Sequence, residues 1–267
     1  MDMLKEFFGI GGYTRAAEGA YSWQHLTFVG CLLAAAFALA IWLGCRNRRW
    51  NLRTQNRVLI VAAILIDGLE LIKIGLSCYE TAQGGEAWYA GLRTVLPLFL
   101  CSIQLIVIPL AAFTKGRMRE VCADFVGLFG ILGGILGTVG AAQNYNAYPV
   151  LSFTNIVSGL THSIAAFASL YVLITGLACL QKRNVPGSLA LLFGFCGAAM
   201  VANSLLDYNY MFLRSHDGTP YQIIYDVVGG HPILYPAMVI GLFVVYMGVF
   251  YGVASLLRHK KRAKVTV

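Results

Sequence analysis

The sequence predicts an all-α protein that spans a membrane seven times, and three observations lead to this prediction. The 267-residue chain is 58% hydrophobic and only 12% charged, whereas soluble globular domains carry roughly 25% charged residues. Its mean hydropathy is +0.69. The apolar residues also cluster into runs of about 20, the length that a membrane-spanning helix needs. This composition excludes both a soluble domain and an intrinsically disordered chain.

Seven apolar runs account for most of the chain. They cover residues 21–45, 58–79, 95–113, 121–142, 150–180, 188–213 and 234–257. The fifth run is longer than one span, so we expect it to tilt, to extend past the bilayer or to break near Ser158 and Gly159. Pro97 and Pro109 bracket the third run and can kink it. No linker or repeat divides the sequence, which predicts a single domain over residues 1–267.

Basic residues alternate between the two sides of the predicted bundle. Of the 20 Lys and Arg residues, 15 follow the first, third, fifth or seventh run. They are Arg46, Arg48, Arg49, Arg53, Arg57, Lys115, Arg117, Arg119, Lys182, Arg183, Arg258, Lys260, Lys261, Arg262 and Lys264. Because basic loops stay in the cytoplasm, we expect the N-terminus outside and the C-terminus inside the plasma membrane. Residues 1–20 lack the pattern of a cleaved signal peptide.

The formal net charge of +8 follows from this topology. Membrane lipids are the expected partners, with anionic headgroups at the cytoplasmic basic loops, while nucleic acid is not expected and no protein partner is indicated. His216, Asp217 and His231 share an outer loop, but their spacing matches no metal-binding template. We therefore expect a solvated loop there, no metal and no cofactor.

Polar side chains inside the apolar runs are the main functional signal. A charge near the bilayer centre costs about 2.5 to 3.5 kcal/mol on insertion scales, so such residues need a physical reason. Glu70 and Lys73 lie three residues apart on one helical face. Further polar positions include His25, Cys101, Gln104, His162, Asn203 and Asp207. The assigned topology places them in the outer half of the bilayer or near its midplane, which predicts a cavity open toward the outer face.

Two interpretations of these residues stay open. As a structural network they would join the helices, with Glu70 and Lys73 as an ion pair, although interhelical hydrogen bonds average only about 0.6 kcal/mol. As a functional cavity they would bind a substrate. The substrate-binding candidates are His25, Gln104, Asn203, Asp207, Arg93 and Arg214, with the two arginines at the outer surface suited to a phosphate headgroup.

Cysteine chemistry is the leading hypothesis for such a cavity. Cys101 is the candidate nucleophile and His162 its base, because a reactive thiolate needs an adjacent His or cation. Glu70 is the candidate for orienting the imidazole and Lys73 for stabilising a developing oxyanion. Asp207 and Asn203 are alternatives for these two roles. Packing of Cys101 as an inert thiol is the competing interpretation.

Two other function classes compete with an enzyme. A small-molecule or ion transporter would use the Asp, Glu, Lys and His side chains as a proton relay. A receptor or assembly factor would use the outer loop over residues 214–233 as its binding surface. Six glycines, mostly three or four residues apart, lie between positions 127 and 140 and are interpreted as a helix-packing face.

The chain resembles the YwaF-type family of bacterial integral membrane proteins over nearly its whole length. The shared segments are SWQHL at 22–26, ELIK at 70–73, LPLFLC at 96–101 and NYMFLR at 209–214, with His162 and Asn203 between them. Distant animal relatives of that family include a transmembrane acyltransferase of ether phospholipids.

The resemblance implies acyl chemistry, with the acyl group held on Cys101 and His162 assisting. Related membrane hydrolases of fatty-acid esters imply hydrolysis as a variant of the same chemistry. The chain departs from the family pattern at Phe99, where many members carry His two residues before the cysteine.

Overall fold

The fold is all-helical in the computed structural model. It describes residues 2–265, with side chains except those of residues 2, 3, 88, 94 and 259–265, and it contains no strand in that part of the chain. The helices are α1 (Asp2–Phe8), α2 (Trp23–Asn47), α3 (Leu52–Gln83), α4 (Leu92–Val95), α5 (Gln104–Phe113), α6 (Gly116–Leu136), α7 (Ala142–Ala147), α8 (Phe153–Thr175), α9 (Val185–Leu206), α10 (Gln222–Val227) and α11 (Leu234–Val265). Short 3-10 turns cover Trp88–Gly91, Lys182–Asn184 and Tyr210–Phe212.

Each predicted apolar run coincides over most of its length, or over half of it for the third run, with one of these helices, namely α2, α3, α5, α6, α8, α9 and α11 in chain order. Four described segments are long and apolar enough to cross a membrane: Trp23–Asn47, Phe153–Thr175, Lys182–Leu206 and Leu234–Arg258. The helix α5 is apolar but short. The chain is therefore an all-helical protein with four candidate membrane-spanning segments.

The over-long fifth run forms one unbroken helix. Ser152 caps the start of α8, where its hydroxyl accepts a hydrogen bond from the N–H of Asn155 at 3.3 Å. Gly176 ends the helix in the left-handed conformation, with φ of 82°. The helix continues through Ser158 and Gly159, so the excess length of the run lies in its irregular ends.

The third run is helical only in its second half. Pro97 restricts the preceding residue to extended backbone, and Leu96 has φ of −60° and ψ of 138°. Regular helix begins only at Gln104, so α5 is about 15 Å long, half the thickness of the hydrocarbon. Cys101 therefore lies on an irregular segment, residues 96–103, rather than on a helix.

The most enclosed of the candidate spanning helices is α8, which packs against α2, α3 and α6. The α6 glycines explain the close approach: a Cβ at Gly130 would lie 2.7 Å from the Ala165 carbonyl oxygen, and one at Gly134 would lie 2.6 Å from the Ala166 Cβ. The interpretation of these glycines as a packing face is confirmed.

A buried carboxylate joins the helices at one end of the bundle. Asp124 of α6 is fully buried and accepts hydrogen bonds from the Leu180 N–H at 2.7 Å, the Asn184 amide at 2.9 Å and the Tyr251 hydroxyl at 3.2 Å. We call this the basic end, because the ends of α2, α5, α8 and α11 bring the basic clusters there.

Candidate active site

Cys101 and His162 meet between the irregular segment and α8. Their side chains interact, with Cys101 beside Gly133 and His162 beside Gly137, although the two residues are 61 positions apart in the sequence. Cys101 is half-buried and carries a free thiol. The fold thus brings together the two residues that were predicted from the sequence as nucleophile and base.

The backbone of α8 fixes the orientation of the imidazole. The Nδ1 atom of His162 lies 2.6 Å from the carbonyl oxygen of Ser158, one turn earlier. Because a carbonyl oxygen only accepts hydrogen bonds, Nδ1 must carry the proton in this contact. The unprotonated nitrogen is then Nε2, which is the nitrogen left to accept the thiol proton of Cys101.

Two glycines of α6 make the room for this pair. A Cβ at Gly133 would lie 3.0 Å from the Cys101 Cα. A Cβ at Gly137 would overlap the ring of His162. The two positions are one helical turn apart, so the same glycine face that packs α6 against α8 also forms the floor of the site. The three- and four-residue spacing was visible in the sequence, but its link to Cys101 and His162 was not.

Glu70 and Lys73 adjoin the pair. The Lys73 Nζ lies 2.6 Å from the Glu70 Oε1, and Glu70 is buried with 8% exposure. Lys73 also interacts electrostatically with His162. We call Cys101, His162, Glu70 and Lys73 the first cluster; within it Glu70 contacts Lys73 rather than the imidazole, and Lys73 acts on His162 through its charge.

Two residues that sequence analysis did not select also adjoin Cys101. The Ser102 hydroxyl lies 3.9 Å from the Cys101 sulfur. Tyr221, between α9 and α10, interacts electrostatically with Cys101 and packs against Phe212 with ring centroids 5.8 Å apart. The sequence carried no signal for Tyr221, because it lies in the outer loop far from the third run.

Gln104 lies one turn after Cys101, at the start of α5. Its side chain is fully buried, and within the described part of the chain neither its amide nitrogen nor its amide oxygen has a hydrogen-bond partner. Its backbone N–H donates to the Cys101 carbonyl oxygen at 3.3 Å, but its side chain makes no hydrogen bond to Cys101 or His162.

His25 is used elsewhere. Its Nδ1 accepts a hydrogen bond from the Tyr21 N–H at 2.9 Å, and its Nε2 lies 3.1 Å from the Thr138 carbonyl oxygen. The ring also stacks on Tyr145 at 3.8 Å between centroids. Both ring nitrogens therefore have hydrogen-bond partners within the fold. This agrees with the interpretation of His25 as part of a structural network that joins the helices.

Asn203 and Asp207 stabilise the end of α9. The Asn203 amide binds the backbone of Tyr210 twice, accepting from its N–H at 2.6 Å and donating to its carbonyl at 3.1 Å. Asp207 adopts the left-handed conformation, with φ of 48°. Its carboxylate pairs with Arg214 at 2.7 Å, and the hydroxyl of Tyr210 donates to the carbonyl of Arg93. These candidates form a second cluster, separate from Cys101.

A cavity of about 490 Å³ opens beside this second cluster. Its lining residues are Phe99, Gln143, Asp207, Tyr208, Asn209, Phe212, Arg214, Ser215 and Asp217. Phe99 packs against Tyr210 and Phe212, with centroids 5.5 and 5.6 Å apart, and lies two residues before Cys101. Its ring therefore lies in the wall of this cavity on the side of the irregular segment.

No group of three or more His, Cys, Asp or Glu side chains within the described residues is placed to hold a metal ion. The site itself offers a thiol, an imidazole and an ion pair.

Comparison with known proteins identifies the family. The model of the TMEM164 family, a family of transmembrane proteins, matches residues 20–251, a range that includes both side-chain clusters. No curated protein and no solved structure matches the chain significantly. Since the family model covers most of the sequence, the chain belongs to the TMEM164 family.

Proposed function

We propose that this protein transfers or hydrolyses fatty-acyl groups of membrane lipids through Cys101 and His162. The observation that carries the proposal is the interaction of the Cys101 and His162 side chains beside Gly133 and Gly137, with Nδ1 of His162 held by the Ser158 carbonyl. This arrangement gives a nucleophile, a base within reach and a group that orients the base. The distant relationship to acyl-transferring proteins that the YwaF-type resemblance implies agrees with this chemistry.

In the first half-reaction, Nε2 of His162 takes the proton of the Cys101 thiol while the sulfur attacks the carbonyl carbon of a phospholipid ester. The tetrahedral intermediate collapses, the C–O bond breaks, and the leaving alkoxide takes the proton from His162. The products are a lysolipid and an S-acyl cysteine.

In the second half-reaction His162 acts as a base again. It removes the proton from the hydroxyl of an acceptor lysolipid, or from water, while that oxygen attacks the thioester carbonyl. Collapse of the intermediate breaks the C–S bond, and the proton returns to sulfur. An acceptor lipid completes acyl transfer, whereas water completes hydrolysis.

Donors for the developing oxyanion lie next to the sulfur. Within the described residues, the backbone N–H groups of Leu100 and Cys101 donate no hydrogen bond to the protein. Lys73 adds a positive charge close to His162. Free N–H groups and a nearby cation are the means by which acyl-transfer sites stabilise an oxyanion.

The membrane arrangement that fits this chemistry has seven crossings in one domain over residues 1–267. The helices α2, α3, α6, α8, α9 and α11 would each cross the plasma membrane, and α5 would cross together with residues 96–103. The N-terminus would lie outside and the basic end in the cytoplasm. Arg93 and Arg214 would then face the outer leaflet beside the 490 Å³ cavity and bind a headgroup phosphate.

The intact mass of the protein purified in mild detergent tests the proposal. We expect a fatty-acyl mass on the wild type after incubation with phospholipid, its removal by hydroxylamine, and its absence from Cys101→Ser and His162→Gln. The matched control is Cys45→Ser, which changes an exposed thiol and should keep the adduct. Peptide mapping locates the acyl group on Cys101.

An adduct that persists in Cys101→Ser, or no adduct with any phospholipid donor, contradicts the proposal. Transport would instead be established by one pattern of solute flux into proteoliposomes. Glu70→Gln would abolish the flux, and Cys101→Ala would leave it intact.

A further inference from the structure

A second cavity lies between α2, α3 and α8 and shares no lining residue with the 490 Å³ cavity. It is a groove of about 470 Å³ that runs along the surface of the three helices. Its lining extends from Leu32 to Leu43 on α2 and from Arg57 to Leu65 on α3. Those stretches correspond to about 16 and 12 Å of helix, so the groove has the elongated shape of a hydrocarbon chain.

The lining has the chemistry of a site for an amphiphile. Apart from Arg57 and Ser163, every lining residue is Leu, Ala, Val, Ile or Phe. Arg57 lies at the end of the groove nearest the basic end, and no carboxylate of the described residues is within ion-pair distance of it. An unpaired cation at the polar end of an apolar groove favours a ligand with an anionic group and a hydrophobic tail.

Ser163 supplies an independent indication of a ligand. The residue is buried with 5% exposure, lines the groove, and its hydroxyl has no hydrogen-bond partner in the described part of the structure. A buried hydroxyl without a partner costs free energy. Rotation of the Ser163 side chain toward the groove would let an acceptor atom of an occupant, such as an ester oxygen, satisfy the hydroxyl, whereas a purely hydrocarbon surface would not.

The groove is separate from the Cys101 site. Ser163 and His162 are consecutive on α8, and consecutive residues of a helix point about 100° apart. Ser163 faces α2 and α3 in the groove, while His162 lies against Gly137 of α6. The groove therefore lies on a different face of α8 from the face that carries His162.

We propose that this groove is a specific binding site for an anionic phospholipid of the leaflet at the basic end. One acyl chain lies between α2 and α3, the phosphate pairs with Arg57, and the Ser163 hydroxyl donates to an acceptor of the lipid. The inference rests on the lining and its charges, and does not depend on acyl transfer at Cys101.

Native mass spectrometry of the full chain tests the charge selectivity. The first bound lipid is titrated with phosphatidylglycerol and with phosphatidylcholine of identical acyl chains. We expect phosphatidylglycerol to bind about fivefold more tightly, the factor that one Arg contributes at an anionic surface. Arg57→Gln should equalise the two lipids. Arg53→Gln, one turn away and outside the lining, should keep the preference.

Groove-filling variants test the location. Ala36→Phe, or Ala35→Phe if the first does not fold, should weaken binding of both lipids by at least tenfold, a loss of about 1.4 kcal/mol. Ala38→Phe, on the same helix but outside the lining, should bind like the wild type. Cys101→Ser should also bind normally, which separates this inference from the acyl-transfer proposal.

Equal affinity of the wild type for the two lipids, or unchanged binding in folded Ala36→Phe and Ala35→Phe, overturns the proposal. Either result would mean that lipids contact this surface only as part of the surrounding bilayer.

Discussion

The imidazole of His162 fills the space that a side chain at position 137 would occupy. Gly137 is the residue of α6 beneath the ring, and a Cβ there would overlap the imidazole carbon and Nε2. The contact couples the packing of two long helices to the position of the candidate base. Since Ser158 holds the opposite side of the ring, His162 has little freedom to adjust.

A methyl group at position 137 should therefore disable the chemistry without unfolding the bundle. In Gly137→Ala we expect acyl-enzyme formation to slow by about 10²-fold or more, the usual contribution of a positioned general base. The measurement is the time course of the acyl mass on Cys101.

Gly197→Ala is the control for Gly137→Ala, because a Cβ at Gly197 would meet no atom within 4 Å. An unchanged rate in a folded Gly137→Ala would show that the position of His162 is unimportant for the reaction.

The double hydrogen bond of Asn203 to Tyr210 should be important for stability. Asn203→Ala removes both bonds and leaves the Tyr210 backbone buried without these partners, for an expected loss of about 2 to 4 kcal/mol. The loss is measured as the change in the free energy of unfolding in mixed micelles titrated with sodium dodecyl sulfate. Ser204→Ala, an exposed neighbour, should change stability by less than about 0.5 kcal/mol. If the two substitutions lowered the free energy of unfolding equally, the hydrogen bonds of Asn203 to Tyr210 would not be important for stability.

Two carboxylates one turn apart on α6 should behave very differently. Asp124→Ala removes the acceptor of three hydrogen bonds at a fully buried position, and should destabilise the protein by about 3 kcal/mol or more. Glu120→Ala breaks only the exposed pair with Arg183, and should cost less than about 1 kcal/mol. The same micelle titration compares them, and a larger effect of Glu120→Ala would contradict the assignment of Asp124 as the anchor.

Glu6 should make the N-terminal segment sensitive to acid. Hydrogen bonds from the backbone N–H groups of Arg15 and Thr14 hold the pKa of the Glu6 carboxyl below its usual value of 4.5. Because the pKa is depressed in the folded state, these contacts stabilise the segment above that value and are lost as the pH falls through the folded-state pKa.

Hydrogen exchange of residues 9–15, corrected for intrinsic rates, should therefore accelerate on acidification below about pH 4.5. Glu6→Gln should show the fast exchange already at neutral pH, whereas Glu86→Gln should not. Slow exchange in Glu6→Gln at neutral pH would mean that the carboxylate does not hold the segment.

Hydropathy predicted the long helices well, because the length and apolar content of a run can be read directly from the sequence. It failed at residues 96–103, which are apolar but not helical. Pro97 was the available signal, but a proline kinks some helices and ends others, and packing decides between these outcomes. The irregular ends of the fifth run were similarly hidden, although Gly176 marked one of them.

Part of the candidate site could be selected from residue types alone. Cys101 and His162 were chosen for their chemistry, but only the packing of α6 against α8 brings them together. The sequence could not separate them from His25 and Asn203, which are equally polar. Those two side chains are satisfied by backbone groups, that of the distant Thr138 for His25 and that of Tyr210, seven residues on, for Asn203. Hydropathy and spacing specify neither pairing.

The break in the third run also has an electrostatic consequence. Because regular helix starts at Gln104, the first peptide groups of α5 lie directly after Cys101, and their dipoles present the equivalent of about half a positive charge there. An uninterrupted helix would place that charge at the start of the run, several residues before Cys101. Starting the helix in the middle of the run places it next to Cys101, where it would favour a thiolate and, in the reaction that we propose, the oxyanion.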